Sequence, residues 1–285
     1  KWARPTRVRT DLLNFYSTSR VYHEPYGVVM ILSPWNYPLQ LALLPLVGAI
    51  SAGNCVVLKP AHYSEHVSEV IRDLISETFD PGYISVVTGG RDVNQALLEE
   101  RFDFIFFTGS PYLGKIVMEK AAKHLTPVTL ELGGKSPCIV AADADVKVAA
   151  QRICFGKFLN AGQTCIAPDH LFVHVDVKEN LLEQMGQCIG RFYGPDPEQS
   201  PDLARIINDA QFDRLETLMH SAGTIVHGGR VNRANRYMEP TLIDGITPED
   251  PIMQEEIFGP LLPILEYTHL DEVIEVVNSG EKPLA

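Results

Sequence analysis

The sequence predicts an α/β protein in which an open, doubly wound parallel sheet is followed by a second α/β domain. From Gly27 to Gly134, short and nearly all-apolar runs alternate with segments of helical period, as in parallel strands that crossover helices cover on both faces. Polar residues follow these runs, at the edge where open parallel sheets form their crevice. The 285 residues allow two domains, since single cores stop growing near about 250 to 300 residues. We place the first domain at residues 1–133 and the second at residues 134–285.

The first domain is predicted to contain five strands, with helices in the gaps between them. The strands are the runs Val28–Ser33, Cys55–Leu58, Ile84–Val87, Phe104–Phe107 and Val128–Leu130. The first gap, Pro38–Ala52, is apolar almost all round, which is typical of a helix inside a larger molecule rather than on its surface. The segment Ser64–Thr78 is amphipathic and predicts a helix with one solvent-facing side.

The second domain is predicted to mix strands and helices. Its predicted strands are Cys138–Val140, Leu171–Val175 and Leu261–Leu265. Its predicted helices are Asp145–Leu159, Lys178–Phe192, Asp209–Ser221 and Leu270–Val277. The Pro-rich run Tyr193–Pro197 indicates an exposed loop inside this domain rather than a boundary.

Composition and charge exclude several classes of partner. A formal net charge of −12 repels a phosphate backbone, so nucleic acid is not expected as a partner. Five cysteines, an odd number without a Cys-x-x-Cys pair, fit neither a disulfide framework nor a metal site, and we expect a reducing, cytoplasmic location. The most apolar stretch, Leu41–Ile50, is about half as long as a membrane helix, so we expect no membrane segment.

Cys165 is the candidate nucleophile. It lies in the run NAGQTCIAPD, residues 160–169, in which Gly162 allows a tight turn and small neighbours leave the sulfur accessible. An isolated cysteine is more often a small buried hydrophobe, and we interpret the other four in that way. A thiol with a pKa near about 8.5 needs help to ionise at pH 7. Glu131, at the end of the fifth strand and followed by two glycines, is the candidate base, although alone it would be a capping or salt-bridged carboxylate.

Two segments, Leu130–Pro137 and Phe158–Ala167, resemble the glutamate and cysteine active-site signatures of the aldehyde dehydrogenase superfamily, closest to its class 3-type members. Further segments agree in order and spacing, namely Ser33–Pro38, Leu58–Pro60, Phe107–Ser110 with Gly114, and Glu255–Pro260. The resemblance covers Tyr22–Ala285, but such enzymes are considerably longer. It implies an aldehyde dehydrogenase-like fold, with an NAD(P)-binding domain first and a C-terminally incomplete catalytic domain second.

The resemblance implies catalytic roles for three residues. Cys165 would add to the carbonyl of a small-molecule aldehyde, and Asn36 would donate to the resulting oxyanion together with the Cys165 N–H. Glu131 would activate the water that hydrolyses the thioester, a role that partial burial would suit near neutral pH. Alone, Asn36 would be a turn residue. Relatives of the class 3 type also lead us to expect a homodimer.

The resemblance implies NAD or NADP as the cofactor. Lys59 would reach the adenosine ribose, and the turn at Gly109 with the helix start at Pro111 would meet the pyrophosphate. Glu256 would bind the nicotinamide ribose and Phe258 would pack on the nicotinamide, although Lys59 and Glu256 in isolation would be solvated charges. The full set of expected cofactor-binding residues is Trp35, Lys59, Gly109, Ser110, Gly114, Leu132, Glu256 and Phe258.

His62 departs from the resemblance in an informative way. Class 3-type relatives tend to carry a Glu three residues after the ribose lysine, and this chain has His62 at that position. A Glu would repel the 2′-phosphate of NADP and a His would not, so we expect the chain to accept NADP as well as NAD.

Three other functions compete with that of an aldehyde dehydrogenase. The segment Gly109–Lys115 is one residue short of a phosphate-binding NTPase loop, but Ile116 stands where Ser or Thr must bind Mg²⁺. A cysteine hydrolase that uses Cys165 with a histidine such as His170 would need no cofactor. A truncated chain without a closed pocket would bind nucleotide without forming NADH.

Overall fold

The computed structural model describes residues 3–285 of the chain. The described residues divide into two compact units, and the division falls between Glu131 and Leu132. Each unit has a five-stranded sheet of its own.

The first unit is organised around a parallel sheet. A short antiparallel hairpin of β1 (Thr6–Val8) and β2 (Ser19–Val21) precedes it. The sheet strands are β3 (Val28–Leu32), β4 (Cys55–Lys59), β5 (Ile84–Val86), β6 (Phe104–Thr108) and β7 (Val128–Glu131). All five predicted strands are confirmed, each to within one residue at either end.

The strand order of this sheet is β5-β4-β3-β6-β7, and every neighbouring pair is parallel. The chain winds outward from β3 through β4 to β5, then returns to place β6 on the other side of β3. The winding direction therefore reverses between β3 and β6, and a crevice opens beyond the carboxyl ends of strands at such a point. This confirms the doubly wound sheet that the sequence predicts.

Four helices cross between these strands: α1 (Pro38–Ser51), α2 (Glu65–Thr78), α3 (Arg91–Glu99) and α4 (Pro111–Ala122). The β-branched and leucine side chains of β3 and β4 pack against α1 and α2 to form the core. The prediction that α1 lies inside the larger molecule stays a prediction, because the described chain shows only how far its own residues cover the helix. The helix buries Ala42 and Leu46, whereas Leu39, Leu44 and Val47 on its other side are exposed.

The second unit also has a five-stranded sheet, of order β10-β13-β14-β9-β8. The strands of this unit are β8 (Pro137–Val140), β9 (His170–His174), β10 (Thr224–His227), β11 (Val231–Asn232), β12 (Tyr237–Met238), β13 (Thr241–Asp244) and β14 (Leu261–Tyr267). In the sheet β10 is antiparallel to β13, and the other pairs are parallel. The small pair β11 and β12 stands outside it.

The helices of the second unit are α5 (Val146–Phe158), α6 (Lys178–Tyr193), α7 (Asp209–Met219) and α8 (Leu270–Ser279). The predicted strands and helices of this region are confirmed to within two residues. The strands β10 to β13 were not predicted, because they span two to four residues each and are too short for a periodic pattern.

The run Tyr193–Pro197 is only in part the exposed loop that the sequence predicts. Pro195 and Asp196 are exposed, but Tyr193 ends α6 and is buried, and its hydroxyl donates to the carbonyl of Phe158 at 3.0 Å. The aromatic ring explains the difference, since a buried tyrosine needs a partner for its hydroxyl and finds one at the end of α5.

The described helices include none that is long and apolar enough to cross a bilayer. Among residues 3–285, the His, Cys, Asp and Glu side chains form no group of three or more that could hold a metal ion. The expected burial of isolated cysteines is confirmed for Cys154 and Cys188, while Cys55 and Cys138 are half-buried.

Candidate active site

The carboxyl edge of the first sheet brings together the candidate residues of the first unit. Trp35 and Asn36 are half-buried in the bend between β3 and α1. Gly109 and Ser110 join the neighbouring strand β6 to α4. The two pairs therefore lie at the reversal of winding, where an open parallel sheet binds its ligand.

Gly109 occupies a position that has no room for a side chain. A β-carbon there would lie 2.6 Å from Cζ of Phe107. The Gly109 N–H donates to the carbonyl of Glu131 at 3.0 Å, which fixes the turn against the end of β7. The backbone of this turn is therefore both rigid and bare, as close approach to a ligand requires.

The amino terminus of α4 has features that favour binding of an anion. Ser110 is the N-cap, and its hydroxyl accepts from the Leu113 N–H at 3.3 Å. Pro111 is the first helical residue and Gly114 is buried in the first turn. Unpaired N–H groups and the helix dipole give such an end a partial positive charge that favours phosphate groups.

Lys59 ends β4 and is buried, with 3% of its surface exposed. Burial lowers the pKa of its ammonium from the ordinary lysine value. The ammonium donates to the carbonyl of Pro60 at 2.8 Å, and it carries three donor hydrogens in all. A buried ammonium of this kind has donors to offer to the hydroxyls of a sugar.

Glu131 is exposed, which differs from the partial burial that we expected. It is the last residue of β7, and β7 is the edge strand of its sheet. The strand ends at Glu131, and Gly133 and Gly134 carry no side chains that could cover its carboxylate.

The segment before Cys165 has an unusual backbone. After α5 ends at Phe158, Asn160 and Ala161 have φ angles of 53° and 52°, and Gly162 has a φ of 73°. Left-handed backbone costs a residue with a side chain about 1 to 2 kcal/mol, and Ala161 is fully buried in this conformation. Strain of this kind persists only where surrounding contacts enforce it.

Gln163 provides those contacts. Its side-chain amide donates to the carbonyls of Asn160 at 3.0 Å and Arg205 at 3.1 Å. Its side-chain oxygen accepts from the Ile207 N–H at 3.0 Å. The nucleophile loop is thus tied to a segment more than 40 residues further along the chain, and half-buried Cys165 follows in a turn.

A second loop of the same unit packs against this one. A β-carbon on Gly162 would lie 2.2 Å from the carbonyl oxygen of Gly259. Gly259 belongs to the predicted motif Glu255–Pro260, in which Phe258 also has a positive φ, of 50°. Two of the predicted motifs, one with Cys165 and one with Glu256, are therefore in direct contact.

Glu256 lies beside the glycines that follow Leu132. A β-carbon on Gly133 would be 2.2 Å from Oε1 of Glu256, so the carboxylate occupies the space that a side chain would need. Burial raises the pKa of Glu256 to about 7, although the Gly134 N–H donates to the carboxylate and opposes that rise. The structure therefore joins Leu132, Glu256 and Phe258 in one part of the second unit.

His170 is placed poorly for the hydrolase alternative. It is the first residue of β9 and 4% of its surface is exposed. Its Nδ1 lies 3.5 Å from Oδ2 of Asp169, and its ring packs edge-on against Phe172. A general base must reach substrate or water, and this burial works against that role.

Sequence reasoning missed four residues that shape the second unit's part of the site: Lys135, Lys157, Gln163 and Asp169. All four stand inside or directly beside the two signature segments, which is the signal that could have found them. Lys157 is 1% exposed, and burial lowers the pKa of its ammonium to about 8. Asp169 and Glu256 raise that pKa in part, and Lys135 lowers it further.

Comparison with known proteins identifies the family of the chain. The sequence model of the aldehyde dehydrogenase family matches residues 5–285, so the chain belongs to that family. It is 50% identical over 285 residues to the 4,4'-diaponeurosporen-aldehyde dehydrogenase of Staphylococcus aureus, covering 100% of this chain and 62% of that protein. It is 49% identical over 284 residues to human aldehyde dehydrogenase family 3 member B1, covering 100% of this chain and 60% of that protein.

Solved structures give the same result. The substrate-bound state of Staphylococcus aureus AldH matches with a TM-score of 0.97 and 50% identity, over 99% of this chain and 62% of that one. Mycobacterium tuberculosis aldehyde dehydrogenase complexed with NAD+ matches with a TM-score of 0.85 and 31% identity, over 95% of this chain and 58% of that one. The chain thus spans about 60% of the length of these relatives.

Gly162→Ala is expected to destabilise the second unit. The new methyl group meets the Gly259 carbonyl, and the residue keeps a left-handed φ, so we expect a loss of about 2 to 5 kcal/mol. Thermal unfolding measures this. Gly190→Ala in α6 is the control, because a β-carbon there meets nothing within 4 Å, and it is expected to leave the protein as stable or slightly more so. Equal melting temperatures for the two variants would contradict the role of the close approach.

Proposed function

We propose that the whole protein oxidises an aldehyde to a carboxylic acid with NAD+ or NADP+, using Cys165 as the nucleophile. The observation that carries this proposal is the strained turn at residues 160–162, which leads into half-buried Cys165 and packs on the loop of Glu256. Family membership over residues 5–285 supports the same reaction class. Strained loops that meet at a reactive side chain are typical of catalytic sites.

The residues of the first unit fit a dinucleotide. The bare backbone at Gly109 and the amino terminus of α4, capped by Ser110, offer N–H donors to a pyrophosphate. The buried ammonium of Lys59 offers donors to the adenosine ribose. This unit is the NAD(P)-binding domain of the proposal and residues 132–285 belong to its catalytic domain.

The remaining cofactor-binding residues bind the nicotinamide end of the cofactor. Glu256 accepts hydrogen bonds from the ribose hydroxyls. These bonds are stronger when its carboxylate is ionised than when it is protonated. Apolar contacts come from side chains at Trp35, Leu132 and Phe258, while Gly114 lets the first turn of α4 pack closely. NAD(P)+ held by these residues would supply the acceptor for the hydride that leaves the aldehyde carbon.

The covalent steps belong to three side chains. The Cys165 thiolate adds to the carbonyl carbon, and the Asn36 amide with the Cys165 N–H donates to the oxyanion that forms. Loss of one such donor lowers the rate by about 10² to 10³. After the aldehyde carbon is oxidised, the acyl group is held as a thioester on sulfur. Glu131 takes a proton from the water that cleaves it, and exposure of its side chain lets that proton pass to solvent.

The proposal includes a homodimer in the cytoplasm, with a small-molecule aldehyde as substrate. A mouse relative 48% identical over 265 residues, covering 93% of this chain and 58% of that protein, is named "Aldehyde dehydrogenase, dimeric NADP-preferring". Scattered cysteines without a Cys-x-x-Cys pair support a reducing compartment. Nucleic acid and metal ions have no part in the proposal.

Cys165→Ala in the full-length protein is expected to abolish NAD(P)H formation from hexanal and benzaldehyde, followed by absorbance. Cys138→Ala is the matched control, because Cys138 is also half-buried in the second unit and burial raises its pKa to about 11. The control should keep wild-type turnover. A wild-type protein that binds nucleotide without forming NAD(P)H would favour a non-catalytic chain, and ester cleavage without hydride transfer would favour a cysteine hydrolase.

His62→Glu is expected to lower kcat/KM for NADP+ at least about tenfold and to leave kcat/KM for NAD+ within about threefold, because like charges near contact repel by about 1 to 4 kcal/mol. His62 is exposed beside Gly90, at the start of α3. His66→Glu adds the same charge to an exposed position on α2 and serves as the control. Steady-state kinetics with both cofactors decides the matter, and a wild-type preference for NAD+ above about 100-fold would refute tolerance of NADP+.

NADH binding is expected to strengthen as pH rises from 6 to 8. Because burial raises the pKa of Glu256 to about 7, its carboxyl group is mostly neutral at pH 6 and mostly ionised at pH 8. If the ionised form binds the ribose, affinity rises about tenfold over this range. Fluorescence titration measures the Kd of NADH at pH 6 and pH 8. The variant Glu256→Gln should bind NADH weakly at both pH values. A flat profile in the wild type would contradict the assignment.

A further inference from the structure

The loop that holds Glu256 has little regular structure of its own. After a single 3-10 turn at Pro251–Met253, the segment Gln254–Pro260 contains neither helix nor strand. A loop without internal hydrogen bonds must satisfy its backbone N–H and C=O groups elsewhere. The identity of those partners decides where the Glu256 carboxylate lies.

Lys135 is the first partner. Its ammonium donates to the carbonyl of Ile252 at 3.1 Å, to the carbonyl of Glu255 at 3.0 Å, and to the carboxylate of Asp169. An ammonium has three donor hydrogens, and these three acceptors match them. Lys135 therefore joins two points of the loop to one buried anion.

Asp169 is the second partner. Its Oδ1 accepts from the Ile257 N–H at 2.8 Å, and its Oδ2 pairs with Lys135. Its own N–H donates to the carbonyl of Ser136 at 2.8 Å, and 3% of its surface is exposed. Asp169 stands four residues after Cys165, so a single side chain connects the nucleophile segment to the loop of Glu256.

Arg214 on α7 is the third partner. Its guanidinium donates to the carbonyl of Glu256 at 3.3 Å and to that of Ile257 at 2.6 Å. It also forms an ion pair with Glu255 at 3.3 Å. Together the three side chains hold the backbone of Ile252 and of every residue from Glu255 to Ile257.

We propose that the ion pair of half-buried Lys135 and buried Asp169 is a positioning device that fixes Glu256 for the cofactor without touching the cofactor itself. This rests on the proposed function, because it assumes that Glu256 binds the ribose. The Glu256 carboxylate keeps a defined position only while its loop is held in place. It fits beside Gly133 because that residue has no side chain. A shift of the loop therefore moves the carboxylate out of hydrogen-bonding range of a ribose hydroxyl.

Charge balance explains why the pair acts as a unit. Burial disfavours the Asp169 anion, but His170, Lys135, Lys157 and the Ile257 N–H together lower its pKa below the ordinary value. Removing Lys135 alone would leave that anion with one cation fewer, a strongly destabilising change. Lys135 is therefore not substituted alone, and the main test neutralises both partners together.

The test uses the full-length double variant Lys135→Gln with Asp169→Asn. We expect the Kd of NADH, measured by fluorescence titration, to rise at least about tenfold, as for loss of a hydrogen bond to a charged group. The KM for NAD(P)+ should rise as well, and the KM for the aldehyde should stay within about twofold.

Two further variants separate positioning from general stability. Lys178→Gln removes a buried lysine of the same unit, which pairs with Asp244 at 2.6 Å and with Glu266 and does not bond to the loop. It should lower the melting temperature and leave the Kd of NADH unchanged. Gly133→Ala displaces the Glu256 carboxylate directly and should reproduce the weakened NADH binding of the double variant.

The outcomes are distinct. Suppose that the wild type forms NADH and that the folded double variant has a Kd for NADH within twofold of the wild-type Kd. The positioning role is then refuted while the proposed function stands. If the double variant does not fold, Asp169→Asn alone, which keeps the volume and the acceptor for Ile257, must still weaken NADH binding measurably, and an unchanged Kd refutes the inference. If the wild type neither binds nor forms NADH, the proposed function fails and the inference fails with it.

Discussion

The close approach of two loops in the second unit is the constraint on which the rest of the candidate site depends. Gly162 presses its backbone against the carbonyl of Gly259, and no residue with a side chain fits there. Because the two backbones meet directly, the segment of Cys165 and the loop of Glu256 cannot move independently. The left-handed turn before Cys165 is the cost of this arrangement, and the amide of Gln163 stabilises it.

Buried charge is the second theme of the same unit. Burial lowers the pKa of Lys157 to about 8 and raises that of Glu256 to about 7, so both groups titrate close to neutral pH. Asp169 raises the pKa of both groups and Lys135 lowers both, so the pair influences the charge state of each. The charge of each group depends on its neighbours, so small displacements of the Glu256 loop or of the end of α5, which carries Lys157, change both pKa values.

The first unit brings its candidate residues together by a different route. Its chemistry follows from topology, because the reversal of winding between β3 and β6 places the bend of Asn36 beside the turn of Gly109. A dipole at the start of α4 and the buried ammonium of Lys59 then supply positive potential at the same edge. In the proposed site, backbone N–H groups of the turn at Gly109 would contact the pyrophosphate, and the absence of a side chain there leaves room for it.

The sequence by itself determined the strands of the first unit to within a residue, the main helices, and the motifs of Cys165, Glu131 and Glu256. Each of these features consists of residues adjacent in the sequence, so its pattern can be recognised without the tertiary structure. Tertiary structure alone decided that Glu131 is exposed on an edge strand and that Glu256 occupies the space beside Gly133. It also decided the partners of the Glu256 loop, which lie up to 120 residues away along the chain. Periodicity reports whether a side chain is buried, but the identity of its neighbour depends on the path of the whole chain.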